Sequence, residues 1–510
     1  MSEHILAIFD LSGIQSFIFA TNKMKEIIGA SAVVHDALFA ELPRVLGESR
    51  DGWKSGPVAF TDADTAKTVY IGGGNALAVF RDEAAYRRAA RELSKRIFLR
   101  SGGAIRLTSA AVPLKEDESL RDNQKRLMAK LDEEKKTGGS ALPAPVLPVV
   151  AYDNNNYEAL VLTGEGQAMT LSQRAKRDNS DSSRIFADLR PREDVSFGYD
   201  FEDARAEYEK NYQAVIHMDG NTMGIRIREF VSGLAQTGMT IWEQLTAMRA
   251  LSVEISELYR GALRDTLREI EIPQDKNGAL MFRPIVVDGD DITVMILAEK
   301  ALPFISTFMG LLRERRIGAF GGDFCPTAAA GAAFVKFKFP FSIAYALAES
   351  CCKNAKAKTV ERRGGAEAFL RDPVSSMDYQ VCYSNISDAL ETYRNRFFVF
   401  EDCVLLRRPY QFGEGPYSYE DFLSDCAYFN GEMKKGNIAR SKLKGLRNAY
   451  GSGREAAETY GRYIKAHVKK DGEEEPAKKL SQPFFDGAPR EAKYFDYLDI
   501  MDIAWKEETE

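Results

Sequence analysis

Short apolar runs and longer helical stripes follow one another in a fixed order along the first 370 residues. Gln213-Ala-Val-Ile-His-Met-Asp219 reads as a buried strand ending on an acid, because a short continuous apolar run bounded by turn residues, here Gly220 and Asn221, fits a strand. A helical region with apolar residues at helical spacing then extends to about Ile270. Two β-branched runs between Pro284 and Leu297 flank Asp288-Gly289-Asp290-Asp291, and Asp-Gly between such runs is a strong hairpin signal. A helix near 300–315, a small-residue strand from Thr327 to Val335 and an amphipathic helix from Phe341 to Lys358 complete the series.

The first half repeats it. A strand from His4 to Leu11 contains Asp10, helices extend to about Leu46, and Thr68 to Phe80 forms a hairpin around Gly72-Gly-Gly-Asn75. A helix near 82–99, a strand from Ile105 to Val112 and a helix from Glu116 to Lys135 follow. The strand acid and the hairpin turn are separated by about 65 residues in the first copy and about 70 in the second, so order and length agree, as expected of a duplicated unit. The proline tract Pro143–Pro148 punctuates the end of the first copy, and Arg174 to Arg192 reads as an exposed loop or partly disordered insertion. Beyond about 370 helical patterns dominate to Trp505. The resulting map is residues 1–148, a linker or insertion at 149–210, a second repeat at 211–370 and a mainly helical part at 371–510.

Composition narrows the class. The 510 residues are 45% hydrophobic and 28% charged with a formal net charge of -6, which fits a globular multidomain chain and argues against a generally basic nucleic-acid binder. The first ten residues carry no basic leader, and no uncharged stretch is long enough to span a bilayer. Cysteines 325, 351, 352, 382, 403 and 426 form no C-x-x-C pair, so neither a zinc knuckle nor a disulfide framework is expected, and a reducing cytoplasm is the natural setting.

The acids of the second repeat give the chain its chemistry. Nucleotidyl transfer gathers negative charge on the attacking hydroxyl, the triphosphate and the leaving pyrophosphate, and paired divalent ions neutralise it. Mg²⁺ prefers oxygen ligands and keeps places for phosphate and water. Asp219, Asp290 and Asp291 are the expected ligands of Mg²⁺ or Mn²⁺, with Gly220, Asn221 and Gly289 beside the nucleotide. One acid suffices for a turn; three in Asp288–Asp291 repel unless a cation lies among them.

These motifs resemble a known family. Asp-Gly-Asp-Asp in a hairpin is similar to the GGDD signature of the large polymerase-like subunit of type III CRISPR effector complexes, a palm-domain protein related to GGDEF and class III nucleotide cyclases. Phe9-Asp-Leu-Ser-Gly-Ile-Gln-Ser-Phe-Ile-Phe19 with Ile28-Gly-Ala-Ser31 resembles the opening of its first palm. Ala328-Ala-Ala-Gly331 with Ala348-Glu-Ser-Cys-Cys-Lys-Asn-Ala-Lys356 resembles the end of its second. The resemblance implies an α+β fold of two ferredoxin-like palms plus a helical C-terminal domain. It also implies synthesis of cyclic or short linear oligoadenylates from ATP in antiviral defence.

Carried over, the family pattern gives Lys353 and Lys356 to the triphosphate; a solvated helix face is the alternative for each. Gly72–Asn75 has no acid in its turn, so the first repeat is expected to hold a nucleotide without a full metal site, through Asp10, Ser31, Gly73 and Asn75. A purely structural first repeat is the alternative. Against larger family members, the chain is expected to depart in lacking an N-terminal HD nuclease domain and a cysteine zinc site. His35-Asp36 is an HD dipeptide without companion histidines, and Gly321-Gly-Asp-Phe324 mimics GGDEF without its second acid. Two other functions compete: a non-catalytic or RNA-activated subunit of a CRISPR ribonucleoprotein, and a cyclic dinucleotide synthase using GTP or mixed triphosphates. The basic tract Lys434, Lys435, Arg440, Lys442, Lys444, Arg447, Arg454, Arg462, Lys465, Lys469 and Lys470, with Tyr450, Tyr460 and Tyr463 among it, offers a surface for RNA or a protein partner.

Overall fold

Both repeats form sheets with the same strand order. In the computed structural model, the first sheet runs 66–72, 75–80, 5–12, 106–113, with Ile5–Ser12 antiparallel to both Asn75–Phe80 and Arg106–Pro113. That is the order of a split β-α-β, or ferredoxin-like, unit. The second sheet runs 282–288, 291–297, 212–220, 328–336, 376–381, 410–411, and its first four strands repeat the arrangement. The structure describes residues 4–137, 149–154, 158–164, 167–181, 186–199, 201, 211–321, 324–383, 389–468, 479–487 and 490–504. The Pro143–Pro148 tract, Gly322, Asp323, Lys469, Lys470 and Trp505 lie outside the described residues.

The duplication extends to the backbone after each strand acid. Gly13, three residues beyond Asp10, and Thr222, three beyond Asp219, both take left-handed φ, 83° and 62°, and both stand at the start of a helix. Glycine does this freely, whereas a β-branched residue there is strained.

By Cα packing the chain divides into two compact units, one of Met1–Asp200, Thr222–Thr293 and Gly310–Pro326, the other of Phe201–Asn221, Val294–Met309 and Thr327–Glu510. In the first, Ile5 to Phe9 are all buried because the sheet is covered on both faces. Leu6 and Ile8 pack with Leu120, Leu127, Leu131, Ile241 and Leu245 of the Leu120–Thr137 and Ile241–Glu269 helices. On the other face Phe9 meets Phe80 and Tyr86, ring centroids 6.2 and 6.3 Å away.

The stretch expected to be an exposed loop, Arg174 to Arg192, begins instead inside a packed helix. Thr170 and Gln173 form a capping box that starts Leu171–Asp178. Its Lys176 is buried, and a Cβ on Gly29 would lie 1.7 Å from the Lys176 carbonyl oxygen. The contact combines this backbone approach with charged side chains, Arg177 pairing with Glu26 at 3.0 Å, so no apolar stripe announces it. Gly29 in the Ile28–Ser31 motif is therefore a close-packing glycine.

In the second unit, Phe341–Arg362 lies on the Ala328–Lys336 strand, where a Cβ on Gly331 would stand 2.0 Å from the Ala348 carbonyl oxygen. Strand structure does not fade at 370: Ser376–Val381 pairs parallel to Ala328–Lys336, and all six of its residues are buried. Met377, Tyr379 and Val381 do alternate with polar residues, but Asp378 masks the strand. Its buried carboxylate is held by Arg394 at 2.7 Å, with the buried Arg408 guanidinium 3.7 Å away. The helices 419–434, 440–450, 454–466 and 495–500 pack through an aromatic core that includes Phe429 stacked on Tyr497. Among the described residues no helix is long and apolar enough to cross a membrane.

Candidate functional site

Asp219 is the eighth of nine residues in its strand, aligned antiparallel with Ala329 of the neighbouring small-residue strand. Lys356, on the helix covering that pair, donates to the Asp219 carboxylate and to the Gly220 carbonyl oxygen, the latter at 2.9 Å. The alanines at 328–330 admit the helix closely enough for this reach. Lys353, three residues earlier, is 72% exposed and pairs with Glu349 at 3.1 Å; of the two lysines only Lys356 reaches the strand acid. Asn221 is buried and committed structurally, its side-chain amide donating to Thr327 Oγ1 at 3.1 Å and the Val374 carbonyl oxygen at 3.2 Å. His217, two residues before Asp219, packs edge-on to Tyr345, and burial lowers its pKa so that the ring favours the neutral form.

The Asp288–Asp291 turn belongs to the first unit. Gly289 takes φ 60°, as a tight hairpin demands. Asp288 and Asp291 line a cavity of about 210 Å³, walled by apolar residues that include Val34, Leu38, Phe39 and Phe186. Ser31, His35 and Gly73 also face it. Ser31 Oγ donates to the Ile285 carbonyl oxygen, and the His35 ring stacks on Phe39 at 4.7 Å. Asp288 accepts from the Gly74 N–H at 3.3 Å, while its Oδ1 is shielded from solvent and has no hydrogen-bond partner. Burial raises the Asp288 pKa, and the charge of His35 and the Gly73 and Gly74 amides pull it back.

Of the first-repeat residues, Ser31 and Gly73 reach this cavity, and Asp10 stands directly opposite Asn75 in register. Asp10 also pairs with Lys135 at 2.8 Å. Sequence reasoning set His35 aside and gave Asp288 no separate role. The available signal was helical spacing: 31, 34, 35, 38 and 39 fall on one face of Met24–Phe39.

Among the described residues no group of three or more His, Cys, Asp or Glu side chains is drawn together as a ready cation site. The basic tract is largely engaged within its own unit. Arg440 and Lys444 pair with Asp502, Arg454 with Asp402 and Glu458, and Lys435 with Glu432.

Comparison with solved structures covers nearly the whole chain. The Csm1-Csm4 cassette in complex with pppApA matches at TM-score 0.52 and 13% identity, over 99% of this chain and 70% of that one. The cassette with AMPPNP matches at 0.50 and 13%, over 98% and 70%, and that with pppApApA at 0.50 and 12%, over 99% and 70%. The chain has the Csm1 fold. No family model matches the sequence, and no curated protein does. At 12–13% identity the likeness is one of fold. The paired sheets and the helical C-terminal part are thus the Csm1 architecture.

Proposed function

We propose that this chain joins nucleoside triphosphates, ATP favoured, into cyclic or short linear oligoadenylates with release of pyrophosphate, as a signal synthetase of antiviral defence. The observation that carries this reading is the duplicated sheet, whose second copy has an acid near the end of its inner strand and acids in its hairpin turn. In the first copy the register sets Asp10 opposite Asn75, the first residue of its hairpin strand. In the second copy Asp219 is the eighth of nine residues of the inner strand and Asp291 the first residue of the hairpin strand.

Asp219, Asp290 and Asp291 are oxygen donors of the kind Mg²⁺ or Mn²⁺ takes, so the residue types fit. A metal held there would supply positive charge against the phosphates. Lys356 already serves Asp219 as a cation and is the side chain that would turn to the triphosphate. The largely apolar cavity beside Ser31, His35 and Asp288 would seat part of one nucleotide. A ribose hydroxyl of one ATP then attacks the α-phosphate of another and pyrophosphate departs, with the protein supplying positioning and electrostatics. Csm1-Csm4 structures containing AMPPNP, pppApA and pppApApA support adenine nucleotides as ligands, and a Csm4-like protein as partner. The ion pairs of the basic tract favour a structural role for it over RNA binding.

The test is incubation of the protein with each triphosphate and Mg²⁺ or Mn²⁺, with mass spectrometry of the products. ATP should yield oligoadenylate and pyrophosphate, and Asp290→Ala/Asp291→Ala should abolish both with the circular dichroism unchanged. Undiminished turnover in that variant rules the assignment out; products from GTP alone favour the dinucleotide synthase.

A further inference from the structure

Asp288 is the acid that the GGDD signature lacks, since this chain has a carboxylate where that signature has its first glycine. We propose that Asp288 is a positioning residue that fastens the Gly289–Asp291 turn to the turn of the first hairpin.

Gly73 and Gly74 both take left-handed φ, 61° and 75°. Successive amides in such a turn point to one side and make a concave anion nest. Asp288 fills it: the Gly74 N–H donates to Asp288 Oδ2 at 3.3 Å, and the Gly73 N–H also points to the carboxyl. The Gly73–Gly74 nest is therefore taken by the chain's own carboxyl group, although Gly73 is the residue expected to face a nucleotide.

The turn is confined from behind as well, because a Cβ on Gly74 would come within 2.6 Å of Ile14 Cδ1. A second tie lies three residues away on the same strand, where Ser31 Oγ donates to the Ile285 carbonyl oxygen. Phe282–Asp288 is the outer strand of its sheet. Among the described residues no further strand fixes that edge; these two bonds serve instead, together with the Arg283 side chain, which donates to the Phe197 and Gly198 carbonyl oxygens. Asp288 Oδ1, shielded and without a donor, is unfavourable by itself, so the packing around it holds the contact. The carboxyl thereby sets where the next three residues stand, and with them Asp290 and Asp291.

The tether stands on geometry alone; its effect on catalysis rests on the function proposed above. Hydrogen exchange in the intact protein separates the two. In Asp288→Ala, amides of residues 72–75 and 289–292 should exchange about tenfold faster, the consequence of losing one hydrogen bond to a carboxylate. Asp288→Asn keeps an acceptor and should restore most of the protection. With ATP, Asp288→Ala should lower kcat about tenfold and leave KM within about twofold, the pattern of a lost transition-state alignment. Unchanged exchange at both turns in Asp288→Ala and Asp288→Gly overturns the proposal. So does preserved exchange with a raised divalent-ion requirement in both Asp288→Ala and Asp288→Asn, which would make Asp288 a metal ligand. If the unmodified protein releases no pyrophosphate but Asp288→Ala still frees the turns, the tether holds and the proposed function falls.

Discussion

Lys356 bridges the carboxylate of Asp219 and the carbonyl oxygen of the next residue, Gly220. The pair is partly open, with the Lys356 side chain 29% and the Asp219 side chain 43% exposed. Its contribution to stability is therefore about 1 kcal/mol or less, small enough for function to be tested without unfolding the protein.

Lys356→Met should lower pyrophosphate release by about a hundredfold, the scale of a lost preorganised charge contact, and leave the melting temperature nearly unchanged. Lys353→Met, which removes only a surface pair with Glu349, should change turnover by less than about threefold. Side-by-side kinetics decide it; equal losses would mean that both lysines reach substrate.

Gly331→Ala should destabilise the second unit by about 3 kcal/mol, at the upper end of overpacking costs, because its Cβ would meet the Ala348 carbonyl oxygen at 2.0 Å and the Cys352 nitrogen at 2.3 Å. Pushing the Phe341–Arg362 helix outward also withdraws Lys356 from Asp219. A urea midpoint within error of the unmodified protein would contradict this packing.

Arg408 is fully buried and bonds Asp496 at 2.8 Å and Asp499 at 3.2 Å. Arg408→Met leaves those acids buried without their cation and should cost about 3–5 kcal/mol. Thermal unfolding of Arg408→Met against Arg408→Lys, which keeps the charge, measures it.

Asp499 gives stability a pH slope. Burial raises its pKa above 3.8, with Arg408 opposing and Asp496 reinforcing the rise. The folded chain therefore keeps a proton that the unfolded chain has lost. The resulting stabilisation is complete below the unfolded value and disappears as pH rises through the folded one. Urea midpoints should fall as pH rises above the ordinary carboxylate range, and fall less in Asp499→Asn. An identical slope in the two proteins would remove Asp499 as its source.

Much of this architecture was legible because both repeats announce their inner strands by unbroken apolar runs, Ile5 to Phe9 and Ala214 to Ile216 among them. Strands buried on both faces need such runs. The Ser376–Val381 strand escaped notice because its buried acid is neutralised by Arg394 and Arg408, the latter beyond residue 400. Lys176 escaped for a similar reason: a lysine inside a packed helix contact carries no apolar signal.

The sequence by itself determined the duplication, the hairpins and the acids they carry, since apolar period, turn residues and spacing are local properties of the chain. Only the tertiary structure decided which lysine meets Asp219, which carboxyl fills the Gly73–Gly74 nest, and which polar residues are consumed inside the fold. Those partners come from segments tens to hundreds of residues apart, and a charged side chain shows its role only when packing has chosen the group it faces.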